Sequence, residues 1–142
     1  MTVIIIVATI ILYLILLVFT WHNLDMLEGQ AKIMYIAAGT IAMFIITLIV
    51  FNISTNGVQY ENENMISSVR NILIAIFMPL NGLIVMPYIA YLLNKIKQED
   101  ITEEKFKKRM ILIIVIFIVF LIFECNYLKS IQEGILGVFN SL

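Results

Sequence analysis

The stretch MILIIVIFIVFLIFECNY, residues Met110–Tyr127, decides the fold. Its first fourteen side chains, Met110 to Phe123, are all apolar. A helix of about 20 residues crosses the roughly 30 Å hydrocarbon core of a bilayer. In lipid every backbone N–H and C=O needs an internal partner, and this run lacks the alternation of a barrel strand, so it reads as a spanning helix. Working outward, three more runs of the same kind precede it, at Val3–Thr20, Ile33–Asn52 and Asn71–Leu93. The expected fold is an all-α membrane protein: a four-transmembrane-helix bundle, antiparallel and up-down, forming a single integral membrane domain over residues 1–142.

Composition supports lipid as the main solvent, because 62% hydrophobic and 13% charged residues leave too little polar surface for a soluble domain. The net charge of -1 is spread through loops and gives no footing for nucleic acid. The single cysteine, Cys125, permits no intrachain disulfide. CxxC and Cys/His metal spacings are absent from the sequence, so neither a cofactor nor a metal is expected. The first run is read as retained and not as a signal peptide: Met1-Thr2 carries no positive charge, and no small-residue cleavage site follows Phe19.

Orientation follows from the basic residues, since short basic loops stay on the cytoplasmic side. Lys95, Lys97, Lys105, Lys107, Lys108 and Arg109 crowd the third loop. Placing loop 94–109 in the cytoplasm of a cell-membrane protein returns Lys32 inside and leaves Arg70 and Lys129 outside, with both termini outside. Within this loop, Asp100-Ile101-Thr102-Glu103 is expected to cap the fourth helix through Asp100, with Glu103 reaching back. Glu103 and Glu104 stand four residues before Lys107 and Lys108, the favoured acid-first order, so the fourth helix is expected to begin in water as a cytoplasmic extension. The other loops are plainer. Trp21 in the short first loop suits the headgroup level, and the Asn-rich second loop turns at Asn56-Gly57.

The third run carries Pro79, Asn81, Gly82 and Pro87. Each proline removes an i to i-4 bond, so the carbonyls of Ala75 and Leu83 lose their donors and the helix is expected to kink or partly unwind. Asn81 falls near mid-bilayer, where an unsatisfied amide costs on the order of several kcal/mol, so it must face protein or water. Steps of three and four from Arg70 place Ile74, Phe77, Asn81, Ile84, Tyr88, Tyr91 and Lys95 on one stripe, expected to face inward. One reading makes this helix a pathway or ligand site; the other makes Asn81 a polar tie to a neighbouring helix.

Two further faces look like packing surfaces: Thr2, Thr9, Tyr13, Leu16 and Thr20 on the first run, and Ala31, Tyr35, Ala38, Gly39 and Ala42 on the second. Glu124 is the one acid inside a span, roughly 21 Å along the helix from Met110, where a snorkelling interfacial carboxylate competes with a gate or ion site. His22 and Cys125 stand without catalytic partners. After the fourth run, Leu128, Ile131, Ile135, Val138 and Leu142 recur at helical spacing, with Lys129, Gln132 and Glu133 elsewhere on the wheel. That pattern suggests a short C-terminal interfacial helix.

These residues supply contact faces and no catalytic set, so an enzyme is not expected. The expected function is that of an oligomerising or partner-binding membrane component, such as an accessory subunit or immunity-type protein. Its partners would be lipid and either a second copy or another membrane protein. The alternative is a small oligomeric channel, holin-like pore or transporter with its pathway along the kinked third helix. The candidate pathway or helix-contact residues are Pro79, Asn81, Gly82, Pro87, Tyr88 and Glu124.

Overall fold

The structure, a computed structural model, describes residues 2–25 and 27–141, with side chains described for 3–25 and 27–137. It is 87% helical. Four helices follow one another: α1 (Thr2–His22), α2 (Gly29–Ser54), α3 (Glu63–Lys97) and α4 (Glu103–Ser141). All four are long and apolar enough to cross a membrane. With 35 and 39 residues, α3 and α4 run roughly 50 to 60 Å, well past the thickness of a hydrocarbon core.

Local chemistry sets the ends. Asn62 caps α3, its side chain accepting from Met65 N at 2.8 Å. The reversal between α2 and α3 passes through Gly57 at φ +83°, the turn that Asn56-Gly57 signals. Between α3 and α4 the chain turns at Glu99, φ +60°. The expected cap by Asp100 is not found: Thr102 Oγ1 takes that part, accepting from Lys105 N at 3.3 Å, because Thr102 immediately precedes the first helical residue. Asp100 instead pairs with Lys95 at 3.6 Å. The ladder Glu103–Lys107 (3.2 Å) and Glu104–Lys108 (3.1 Å) forms as the spacing implies.

Helix α3 lies at the centre, packed against α1, α2 and α4, while α2 also meets α4 and touches α1 lightly. Of the expected kink or partial unwinding, unwinding does not occur, for the helix is continuous through Pro79 and Pro87. Packing against three neighbours holds the helical path although each proline lacks an N–H. Small residues set two close approaches. A Cβ on Gly82 would lie 2.8 Å from Leu16 Cδ2, and one on Gly39 would lie 2.5 Å from Met86 Cε. Of the face of α1 read from the sequence, Leu16 meets Gly82 on α3, Tyr13 meets Thr40 on α2, and Thr20 is buried. On α2 only part of the expected face turns inward: Tyr35 donates to Met86 O at 2.7 Å and Gly39 meets Met86, while Ala31, Ala38 and Ala42 are exposed.

Two apolar layers form the core. One gathers Leu16, Met43, Val85, Met86 and Phe117; the other gathers Val50, Phe51, Val69, Leu73 and Leu128. The C-terminal segment departs from expectation. It is no separate interfacial helix, for α4 runs unbroken to Ser141 and its Leu128, Ile131 and Ile135 join the second layer. Gln132, placed on the polar side by its spacing, is fully buried among these residues, because it finds polar partners at the end of α2. The side chains of Thr2 and Val138, and all of Leu142, lie outside the described residues.

Candidate functional site

Between the two apolar layers lies one polar layer, built by α2, α3 and α4. Thr47 falls between Met43 and Val50, Asn81 between Leu73 and Val85, and Glu124 between Phe117 and Leu128. The Asn81 side chain is fully buried, and Glu124 is only 4% exposed. Asn81 Nδ2 donates to Thr47 Oγ1 at 3.1 Å and to Glu124 Oε1 at 3.0 Å. Thr47 spends its own hydrogen on Met43 O at 2.7 Å, so its oxygen is left to accept, which fixes the nitrogen of the Asn81 amide on that side. One amide thereby ties three helices together.

The layer is incomplete as drawn by these bonds. Asn81 Oδ1 and Glu124 Oε2 are buried without a hydrogen-bond partner, as is Thr20 Oγ1 at the end of α1. Among the described residues the ion pairs are Lys95–Asp100, Glu103–Lys107 and Glu104–Lys108, and none involves Glu124. Among the described residues there is also no group of three or more His, Cys, Asp or Glu suited to a metal.

A second polar cluster closes the end of the bundle nearest the second loop. Gln132 Nε2 donates to Ser54 Oγ at 2.9 Å, and Gln132 Oε1 accepts from Thr55 Oγ1 at 3.2 Å and from the Tyr60 hydroxyl. Burial pushes the Tyr60 phenol above its usual range. A third tie lies toward the other end, where Tyr13 and Thr40 hydroxyls share a bond of 3.2 Å. Along α2 the three ties fall at Thr40, Thr47 and Ser54, seven residues apart, and they reach α1, α3 and α4 in turn.

The six residues singled out from the sequence are thus divided. Asn81 and Glu124 meet. Pro79 and Gly82 are buried beside them on α3, with Gly82 serving the approach of α1. Pro87 and Tyr88 stand apart: Tyr88 stacks on Tyr91 at 6.2 Å, and Lys95 lies over the Tyr91 ring at 5.5 Å. The single inward stripe from Arg70 to Lys95 is therefore split, since Arg70 and Tyr91 are exposed while Ile74 and Asn81 are buried. Glu124 does not snorkel; the Asn81 amide offers it a partner inside. The sequence reading missed Thr47, Ser54, Tyr60 and Gln132.

The outer grooves avoid this layer. One between α2 and α4 is lined by Ile46, Ile49, Val50, Ile118, Leu121 and Cys125, and another by Leu17, Val18, Trp21, His22, Asp25 and Ile36; neither includes Asn81 or Glu124. Lys32 lies over Trp21 at 4.8 Å, and His22 is exposed. Set beside known protein families, curated proteins and solved structures, the chain matches none.

Proposed function

We propose that the chain is a cell-membrane protein whose four helices cross in antiparallel, up-down order, with the lysine-rich turn at 94–109 in the cytoplasm and both termini outside. It acts without catalytic chemistry, as a component that binds a second copy of itself or another membrane protein, in the manner of an accessory subunit or an immunity-type protein. One observation carries this reading: α1 is attached along a single face. Leu16 docks on Gly82 of α3 and Thr20 is buried, while Val3, Ile4, Ile6, Ile10, Leu14 and Val18 stand at least half exposed around the rest of the helix. A spanning helix held on one side keeps most of its circumference free for another helix. The internal polar groups support the same reading, because Tyr13, Thr47, Asn81 and Gln132 bond one helix of this chain to another.

A second reading has its own observation. The layer of Thr47, Asn81 and Glu124 puts a carboxyl inside the bundle, where ionisable residues commonly mark a pathway, so a small oligomeric channel or transporter is the alternative. The two separate in one preparation of the purified chain. Extraction in native lipid with mass measurement is expected to give a defined oligomer or a stoichiometric partner, and liposomes are expected to show no ion flux. A lone monomer overturns the component reading, and flux abolished by Glu124→Gln establishes the channel.

A further inference from the structure

Glu124 poses a problem of charge. A carboxylate sealed in the bundle without a counter-ion is costly enough that such a group is normally neutralised by a proton, a cation or a basic side chain. No basic side chain fills that part. On α1 the ionisable groups are Tyr13, bonded to Thr40, and His22, exposed at its end; on α2 they are Tyr35, bonded to Met86 O, and Lys32, over Trp21. On α3 they are Glu63 and Arg70, exposed at one end, and Tyr88, Tyr91, Lys95 and Lys97 toward the other; on α4 they are Glu103, Glu104, Lys105, Lys107, Lys108 and Arg109 in its exposed first turns, and half-buried Cys125 with exposed Tyr127, Lys129 and Glu133 further along. None of them bonds to Glu124 among the described residues, and its one partner is the Asn81 amide.

The two oxygens left over then become informative. Asn81 Oδ1 can only accept, and Glu124 Oε2 can donate only if it carries hydrogen. The Asn81 nitrogen uses one hydrogen on Thr47 Oγ1 and the other on Glu124 Oε1. When the amide N–H cis to the carbonyl is the one that donates to a carboxylic acid, the amide oxygen lies beside the acid's second oxygen, and it is this N–H that the pairing assigns to Glu124. A single hydrogen on Oε2 would satisfy both orphaned atoms at once, closing a cyclic acid–amide pair and removing the charge.

We propose that Glu124 is a proton-binding site: a neutral carboxylic acid whose Oε2–H is donated to Asn81 Oδ1, with Thr47 holding the amide in register. The ligand is one proton, taken from water and returned to it, with no other bond made or broken. Release of that proton leaves two acceptors at the contact of α3 and α4, so the site ties helix packing to protonation. This inference stands whether the chain is a partner-binding component or a channel.

Infrared spectroscopy of the full chain in a detergent free of carbonyl groups tests it. The other nine acids, Asp25, Glu28, Glu61, Glu63, Glu99, Asp100, Glu103, Glu104 and Glu133, are all exposed, so a neutral carboxyl band at neutral pH has one source. We expect that band in the native chain, corresponding to one carboxyl per molecule. It should disappear in Glu124→Gln, which keeps both bonds to Asn81 and therefore keeps its melting temperature. It should shift in Asn81→Leu. Absence of the band in the native chain overturns the proposal, even if neither variant folds. A melting temperature that rises with sodium but not with choline, in a protein lacking the band, assigns the site to a metal cation instead.

Discussion

Leu16 and Gly82 are in contact across α1 and α3: a methyl added at Gly82 would sit 2.8 Å from Leu16 Cδ2 and 3.3 Å from Met86 Sδ. Both side chains that face this glycine are buried, Leu16 at 1% and Met86 at 2% exposure, so neither has free space to enter. The contact is where α1 is anchored.

Gly82→Leu is therefore expected to destabilise the protein by about 1 to 3 kcal/mol, the usual range for overpacking a close contact. Gly134 and Gly137 offer the control, since nothing lies within 4 Å of a Cβ at either. Alanine there is expected to raise stability by about 0.5 to 1 kcal/mol each through helix propensity. Reversible unfolding in mixed micelles reads both effects, and a Gly82→Leu chain as stable as the native one would contradict the anchor.

Gln132 is the hub of the second polar cluster, donating to Ser54 and accepting from Thr55 and Tyr60. Gln132→Leu keeps much of its bulk but strips partners from these groups, an expected loss of about 1 to 3 kcal/mol. The same unfolding measurement reads this loss, and a Gln132→Leu chain as stable as the native one would contradict the hub.

Tyr60 gives the fold a dependence on alkaline pH. Burial raises its phenol in the folded state above the ordinary value of 10.0. The unfolded chain therefore deprotonates first, and the stability this group contributes is whole below pH 10.0 and is lost as pH rises toward the folded value. Tyr60→Phe should flatten that alkaline fall in a melting-temperature profile; an unchanged profile would show that Tyr60 does not carry it.

Orientation can be read in intact cells. With Cys125 replaced by alanine, a cysteine introduced as Glu61→Cys is expected to react with an impermeant maleimide, and one introduced as Lys97→Cys is expected to react only after lysis. The reverse pattern would invert the proposed topology.

Much of the frame was legible in sequence because continuous apolar runs admit one backbone solution in lipid, and because Glu103, Glu104, Lys107 and Lys108 stand at helical spacing. At Pro79 and Pro87 the loss of an N–H does not interrupt the helix: it is a local cost, and the packing of α3 against three neighbours is tertiary. The tail was misread because Gln132 looks polar on a helical wheel, whereas Ser54, 78 residues earlier in the chain, makes burial acceptable. Asn81 and Glu124 were each noticed, but no local pattern pairs residues 43 apart. One signal of the polar ties is local: Thr40, Thr47 and Ser54 recur every seven residues, which puts three hydroxyls along one side of α2.

An amide and a carboxyl, Asn81 and Glu124, join α3 and α4 inside the bundle. Solid-state NMR of the chain in lipid bilayers, recoupling the side-chain nitrogen of Asn81 to the carboxyl carbon of Glu124, addresses this pairing without any substitution. The Nδ2 to Oε1 separation of 3.0 Å predicts strong dephasing for this pair. A Glu124 carboxyl carbon that shows no dipolar coupling to that nitrogen would contradict the account.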